Sequence, residues 1–161
     1  MVQLVPMSES EFQEYLSYAV AEYAQGHVEA GGWTQDEALQ RATDEYRQLL
    51  PDGVTSKSHY LYTIRNEEGQ NVGMLWLAVR PRGKGSEAFI YDVRISEQFQ
   101  RRGYGSQAFR AMEEKVRELG LNSISLHVFG HNHPARQMYQ KLGYIETNVL
   151  MTKKLDTRPG K

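Results

Sequence analysis

Phe89-Ile90-Tyr91-Asp92-Val93-Arg94-Ile95 leads into Gln100-Arg101-Arg102-Gly103-Tyr104-Gly105-Ser106, and then into Ala108, Phe109, Met112, Val116 and Leu119 at helical spacing. The order predicts a strand, a tight basic glycine turn and an amphipathic helix. Gly103 and Gly105 permit positive φ and close approach of a ligand to the main chain, so successive amides can converge at a helix N-terminus. The helix dipole, the unsatisfied amides and the guanidinium groups of Arg101 and Arg102 all favour an anion there, and phosphate suits them. The same residues also fit a plain strand-to-helix turn with solvated arginines.

Two phosphate motifs fail on this stretch. A P-loop needs Lys-Ser/Thr after its last glycine, whereas Gly105 is followed by Ser106-Gln107. Gly103-x-Gly105-x-x-Ala108 satisfies the dinucleotide glycine spacing. The acidic residue expected about 20 positions on is missing from Ser123-Ile124-Ser125-Leu126-His127-Val128.

Working outward, the 161-residue chain predicts one domain over 1–161 with a substantial core. Nineteen Lys+Arg against 20 Asp+Glu give no global field for nucleic acid or an anionic membrane, so basic function is confined to the turn. The absence of cysteine removes disulfides, thiol nucleophiles and Cys-type metal sites. No leader pattern and no run of membrane-spanning length appears, and a cytoplasmic protein without a membrane partner is expected.

Ahead of the turn, Gln3-Leu4-Val5 reads as an edge strand before Pro6. Ser8 with Glu11 and Thr34 with Glu37 form capping-box patterns that open two helices. Phe12, Tyr15, Leu16, Ala19, Val20 and Tyr23 make one apolar stripe, and Leu39, Ala42, Tyr46, Leu49 and Leu50 the other. His59-Tyr60-Leu61-Tyr62-Thr63-Ile64 and Val72-Gly73-Met74-Leu75-Trp76-Leu77-Ala78-Val79 form a hairpin that feeds the 89–95 strand. After the turn and its helix, 123–129 reads as a fifth strand, which the crossover makes parallel to the one before the turn. Asn132-His133-Pro134-Ala135 starts a short helix, 144–155 reads as a terminal strand pair, and 156–161 as a frayed tail. The class is α/β with a mixed, mostly antiparallel sheet.

Gln100-x-x-Gly103-x-Gly105 after a strand, then Asn132-x-x-Ala135-x-x-x-Tyr139-x-x-Leu142-Gly143-Tyr144 after one helix and one strand, resembles the GNAT superfamily of acetyl-CoA-dependent N-acetyltransferases. The similarity runs over about 60–155. The segments 88–93 and 126–129 look like a group of uncharacterised bacterial members. The resemblance implies a sheet of six or seven strands flanked by about four helices, with a central strand pair splayed to admit the cofactor. It also implies acetyl-CoA as acyl donor, no metal, and a small-molecule or peptide primary amine as acceptor, in a monomer or homodimer. Residue by residue, it places Val93 and Ile95 where backbone groups hold the pantetheine and acetyl. Gln100, Arg101, Arg102, Gly103, Tyr104, Gly105 and Ser106 fall at the pyrophosphate, Asn132 and Ala135 on the cofactor arm, and Tyr139 where a tyrosine protonates the departing thiolate. Ser96-Glu97 replaces the Pro-containing pair common after that strand.

Acetyl transfer needs a neutral amine, hence a base or water chain. His127, Asp92 and Glu87 are available. His127 alternates with Leu126 and Val128, and an imidazole is the side chain suited to base work near neutral pH; a structural histidine is the plainer reading. Asp92, in so apolar a strand, must be paired or line a cavity, and Arg94 on the same face is the obvious partner. Glu87 at the strand start reads as solvated. Tyr139 on an apolar helix face also fits packing with its hydroxyl at the edge. His127, His131 and His133 lack the i, i+4 helical pair of a zinc hydrolase. Tyr15, Tyr18, Tyr23, Trp33 and Tyr46 supply core or acceptor-pocket aromatics, Tyr18 lying off the stripe. A non-catalytic acyl-CoA-binding module is the alternative reading of the chain as a whole.

Overall fold

The computed structural model describes residues 1–158. Its elements are β1 (Gln3–Pro6), α1 (Glu9–Glu29), α2 (Gln35–Leu49), β2 (His59–Arg65), β3 (Asn71–Arg82), β4 (Gly85–Ile95), α3 (Tyr104–Glu118), β5 (Ile124–Leu126) and α4 (His133–Lys141). The strands lie in sequence order, antiparallel from β1 to β4 and parallel only between β4 and β5, where α3 makes the crossover. The α/β class and mixed sheet follow the expectation from sequence. Among the described residues no helix is long and apolar enough to cross a membrane.

Caps set the ends of the first two helices. Ser8 Oγ accepts from the Glu11 amide at 3.2 Å while Glu11 Oε1 accepts from the Ser8 amide at 3.0 Å. At α2 the Glu37 carboxylate accepts from the Thr34 amide at 3.2 Å. Their apolar stripes cover one face of the sheet, where Phe12, Tyr15, Ala19 and Tyr46 pack on Leu61, Met74 and Trp76. α3 covers the other face with Ala108, Phe109, Met112 and Val116 against Ile64, Val72, Leu75 and Leu77; Met138, Tyr139 and Leu142 of α4 join the same cluster.

β4 changes phase halfway along. Leu77 pairs with Ile90 and Trp76 with Asp92, so Tyr91 has no partner on β3 and forms a bulge. Below it Ala88 and Ile90 face α3; above it Val93 and Ile95 do. Strict alternation would have put Tyr91 opposite Asp92. The bulge instead turns both toward α1, Tyr91 stacking on Trp76 at 4.7 Å and Asp92 meeting Tyr15.

Among the described residues the sheet has five strands, not six or seven. The expected terminal pair over 144–155 has no secondary structure, and neither do residues 156–158 of the expected tail; 159–161 lie outside the described residues. The Tyr144 amide donates to Tyr139 O at 3.0 Å, and beyond it no main-chain hydrogen bond ties the segment to the sheet among the described residues. Without a ladder partner, a strand-like sequence stays unpaired. The fifth strand is also shorter than 123–129, ending at Leu126 and leaving His127 outside it.

Candidate active site

The β4–β5 ladder has three rungs, Ala88 with Ile124, Phe89 with Ser125 and Ile90 with Leu126, and stops where the bulge begins. Past the unpaired Tyr91, the main chain of β4 from Asp92 to Ile95 therefore has a partner on β3 only. This is the splayed pair that the family resemblance implied, and the divergence opens a notch with free backbone polar groups on one wall. β3 holds the other side of β4 very closely: a Cβ on Gly73 would lie 2.0 Å from Arg94 O.

The basic turn closes the end of the notch. A 3-10 turn over Glu97–Phe99 follows β4, and Gln100 Nε2 donates back to Ile95 O at 3.0 Å. Arg101 at φ 63° and Gly103 at φ 82° take left-handed conformations, and α3 begins at Tyr104. The first main-chain bond at this end, Gln107 N–H to Gly103 O at 3.1 Å, leaves the preceding helical amides directed out of the helix. No carboxylate occupies that first turn. Arg101 and Arg102 are exposed, and neither forms an ion pair among the described residues. Tyr104 turns its hydroxyl away to Asn66, 3.4 Å from Nδ2, so only its main chain faces the turn.

Gly105 plays a different part from the one its sequence context implied. It is helical, without positive φ, and a Cβ built on it would stand 3.9 Å from both Ile95 Cγ1 and Met138 Sδ. Its contribution is space between the end of β4 and α4. The need for a left-handed residue is met by Gly103 and Arg101.

On the α1 side, Asp92 gathers donors. Tyr15 OH donates to Asp92 Oδ2 at 2.6 Å and Arg94 Nε donates to the same oxygen at 2.9 Å; Arg94 Nη1 also pairs with Glu22. Burial, and then the Asp92 charge, push the Tyr15 hydroxyl well above its ordinary pKa. The same two causes hold Tyr46, 3.4 Å from Tyr15 oxygen to oxygen, up at about 12. Burial works against the Arg94 charge, but Asp92 and Glu22 more than offset it and raise its pKa. Between α1 and the free half of β4 lies a cavity of about 770 Å³ whose lining includes Glu14, Tyr15, Tyr18, Glu22, Arg94 and Glu97.

Tyr139 comes from the opposite side, on α4. Its ring packs edge-on against Phe109 and Tyr144, each at 5.8 Å, and its hydroxyl takes no hydrogen-bond partner among the described residues. Burial, and then the Asp92 charge, raise it to about 12.

The remaining sequence candidates separate. Exposed His127 lies beyond β5, its ring 5.0 Å from Phe129, which in turn meets His27 of α1 at 4.9 Å. It is thus grouped with the C-terminal end of α1, away from the Tyr15 hydrogen bond to Asp92. Asn132 caps α4, Oδ1 accepting from the Ala135 amide at 3.4 Å. Glu87 is buried, not solvated: Arg80 Nε and Arg82 Nη1 each donate to it at 3.0 Å and Ser125 Oγ at 2.6 Å. Burial pushes its pKa up, yet the Ser125 and arginine bonds outweigh that and hold it below the usual carboxylate value. That removes it as a base. The described residues hold no group of three or more His, Cys, Asp or Glu placed to share a metal ion.

Sequence reasoning assigned Tyr15 mainly to packing and gave Glu22 no role. The signal was Asp92 itself, since a carboxylate in an apolar strand demands donors and a tyrosine-rich helix was the nearest supply.

A parallel strand pair splayed at a bulge, with a glycine-arginine helix start closing the gap, defines a class, and residues 14–144 match the Acetyltransferase (GNAT) family. The chain belongs to that family and is an acetyl-CoA-dependent N-acetyltransferase. It is 38% identical over 154 residues to the uncharacterised N-acetyltransferase YycN of Bacillus subtilis (strain 168), covering 96% of this chain and 99% of that one. YdgE of the same organism, also an uncharacterised N-acetyltransferase, is 38% identical over 152 residues, covering 94% and 97%. The crystal structure of Bacillus subtilis YycN superposes with a TM-score of 0.91 over 98% of this chain and 100% of that one. The aminoglycoside 6'-N-acetyltransferase AAC(6')-Ih of Acinetobacter baumannii, 20% identical with a TM-score of 0.59 over 98% and 99%, shares the fold.

Proposed function

We propose that the enzyme moves acetyl from acetyl-CoA directly to a primary amine of a small molecule or peptide, with the acetyl-pantetheine arm in the β4–β5 notch. The observation that carries this reading is the unpaired main chain of Tyr91–Ile95 on the β5 side, with the neutral Tyr139 hydroxyl on the facing helix. Backbone groups of Val93 and Ile95 hold the arm. The amides opening α3, with Gln100, Arg101, Arg102, Gly103, Tyr104, Gly105 and Ser106, hold the pyrophosphate. Asn132 and Ala135 fix the start of α4 beside the arm.

The acceptor arrives as a cation from the cavity under α1. Asp92 spends Oδ2 on Tyr15 and Arg94, which leaves Oδ1 for the ammonium. His127, set apart from Asp92, takes the proton through water. The neutral nitrogen attacks the thioester carbonyl, polarised by backbone amides; the C–N bond forms, the C–S bond breaks, the thiolate takes its proton from Tyr139, and the proton that the nitrogen sheds as it becomes an amide returns through water to the Tyr139 phenolate. Direct attack needs no protein nucleophile and no Lewis acid. On this reading 1–161 acts as one domain, in the cytoplasm.

Thiol release should be followed over a panel of polyamines, aminoglycosides, amino acids and peptide N-termini, with pH profiles for two variants. Tyr139→Phe should keep acetyl-CoA affinity and lose about 100-fold in kcat. His127→Gln should lose or shift the acidic limb of amine kcat/KM. Parental turnover in Tyr139→Phe with chemistry rate-limiting makes Tyr139 structural; a parental limb in His127→Gln moves the base to water at Asp92.

A further inference from the structure

We propose that two copies of this chain exchange their C-terminal arms, residues 145–155 of each pairing with the free edge of β5 in the other. The arm has the sequence of a strand and the exposure of a segment without its partner. Ile145, Val149, Leu150, Met151 and Leu155 are 62 to 95% exposed, a run of apolar and β-branched residues with nothing packed over it among the described residues.

The base of the arm is fixed. Gly143 turns the chain at φ 96°, and Tyr144 packs on Phe109 at 6.0 Å. Arg136 of α4 donates to Glu146 Oε1 at 2.7 Å. These contacts set where the arm leaves the body, and past Glu146 no hydrogen bond or ion pair among the described residues draws it back.

β5 supplies the other half of the joint. Among the described residues it is the last strand of the sheet, paired with β4 on one side and with no strand on the other. Sheet edges are usually guarded by lysine, proline or an inward charge. Asn122-Ser123-Ile124-Ser125-Leu126-His127-Val128-Phe129 carries no lysine, arginine, carboxylate or proline.

A second copy is the occupant because the unpaired strand and the unpaired edge belong to the same chain. A two-fold exchange satisfies both in both copies with one isologous contact, whereas a foreign strand on β5 would leave the arm exposed. The exchange also sets the partner's arm beside His127 and Phe129, so each acceptor site borders both copies. It stands on the sheet edge and the arm, independent of which residue serves as base.

Sedimentation at tens of micromolar tests it. The parent should run at twice the 18.5 kDa chain mass, and a chain ended after Glu146 at the chain mass itself. Val149→Asp/Met151→Asp, which keeps the chain length, should also be monomeric, with circular dichroism confirming the fold. The cysteine-free chain permits clean cross-linking: Ser123→Cys combined in turn with Asn148→Cys, Leu150→Cys and Thr152→Cys should yield disulfides between differently tagged copies. A monomeric parent, a dimer that survives both arm variants, or cross-links formed only within one copy overturns the exchange.

Discussion

The two halves of β4 are built from similar residues and do opposite work. From Gly85 to Ile90 the strand is paired with β3, and its last three residues also with β5; Glu87 ties Arg80 and Arg82 of β3 to Ser125 of β5. Above the bulge the strand keeps β3 and loses β5. A buried main-chain group left without a partner costs about 1–3 kcal/mol, so the open half must face solvent or an amide-bearing ligand such as pantetheine. A saturated ladder stabilises, and an interrupted one binds. The bulge at Tyr91 is the single inserted residue that converts one into the other.

The largest effect should come from loosening the one side that still holds the open half. In Gly73→Ala the new Cβ meets Arg94 O at 2.0 Å, Arg94 C at 3.0 Å and Ile95 Cα at 3.1 Å, all backbone. No rotamer change relieves that, so β3 and β4 must separate, at a cost of about 3 kcal/mol. Chemical denaturation measures the loss. A variant with parental stability would mean that the two strands are free to move apart at this rung.

In the closed half, Glu87→Gln should cost about 2 kcal/mol at neutral pH by removing the charge that Arg80, Arg82 and Ser125 converge on. The pH dependence has a definite sign. Because the folded carboxyl is held below its ordinary value, its contribution is complete above the unfolded pKa of about 4.3 and is lost as pH falls through the folded pKa. The stability gap between parent and Glu87→Gln should close below about pH 4. A constant gap down to pH 3 would mean that packing, not charge, holds the three strands.

Much of this contrast was legible in the sequence. Period-two and helical patterns located β2, β3, β4 and the helices, and Gly103 marked the left-handed turn that opens α3. The bulge was not legible, because alternation has no signature for one extra residue until the register of Trp76 and Leu77 is known. Glu87 was misread because its two arginine partners sit on the neighbouring strand across a turn. The strand pair expected over 144–155 has no secondary structure, since composition does not say which sheet, if any, such a segment joins.

Gly105→Val sharpens the comparison from the ligand's side. Added side chain would enter the space between Ile95 and Met138 at the open end of the notch. Coenzyme A affinity should fall at least tenfold, about 1.4 kcal/mol, with little loss of stability because Gly105 is helical and the 3.9 Å contacts are ordinary ones. Calorimetry decides it. Unchanged affinity would place the cofactor arm elsewhere.

The smallest effect concerns the residue behind the bulge. His59 Nδ1 accepts from Trp76 Nε1 at 3.0 Å, and Trp76 is the ring on which Tyr91 stacks. Burial lowers the His59 pKa, so the folded protein prefers the neutral ring with its Nδ1 lone pair free. As pH drops below the unfolded value of about 6.5, the unfolded chain binds the proton more readily and stability declines, levelling off once pH passes the folded pKa. Protonation also removes the acceptor for Trp76, a bond worth about 1 kcal/mol. His27, likewise lowered by burial and stacked on Trp33 at 3.8 Å, adds a slope of the same sign. His59→Asn keeps an acceptor oxygen near the Nδ1 position and does not titrate. Its stability should therefore fall less than the parent's between pH 7 and pH 5, the remainder belonging to His27. An unchanged slope in His59→Asn would show that the Trp76–Tyr91 stack holds the bulge without help from the histidine, and that the boundary between the closed and open halves is set by the strands alone.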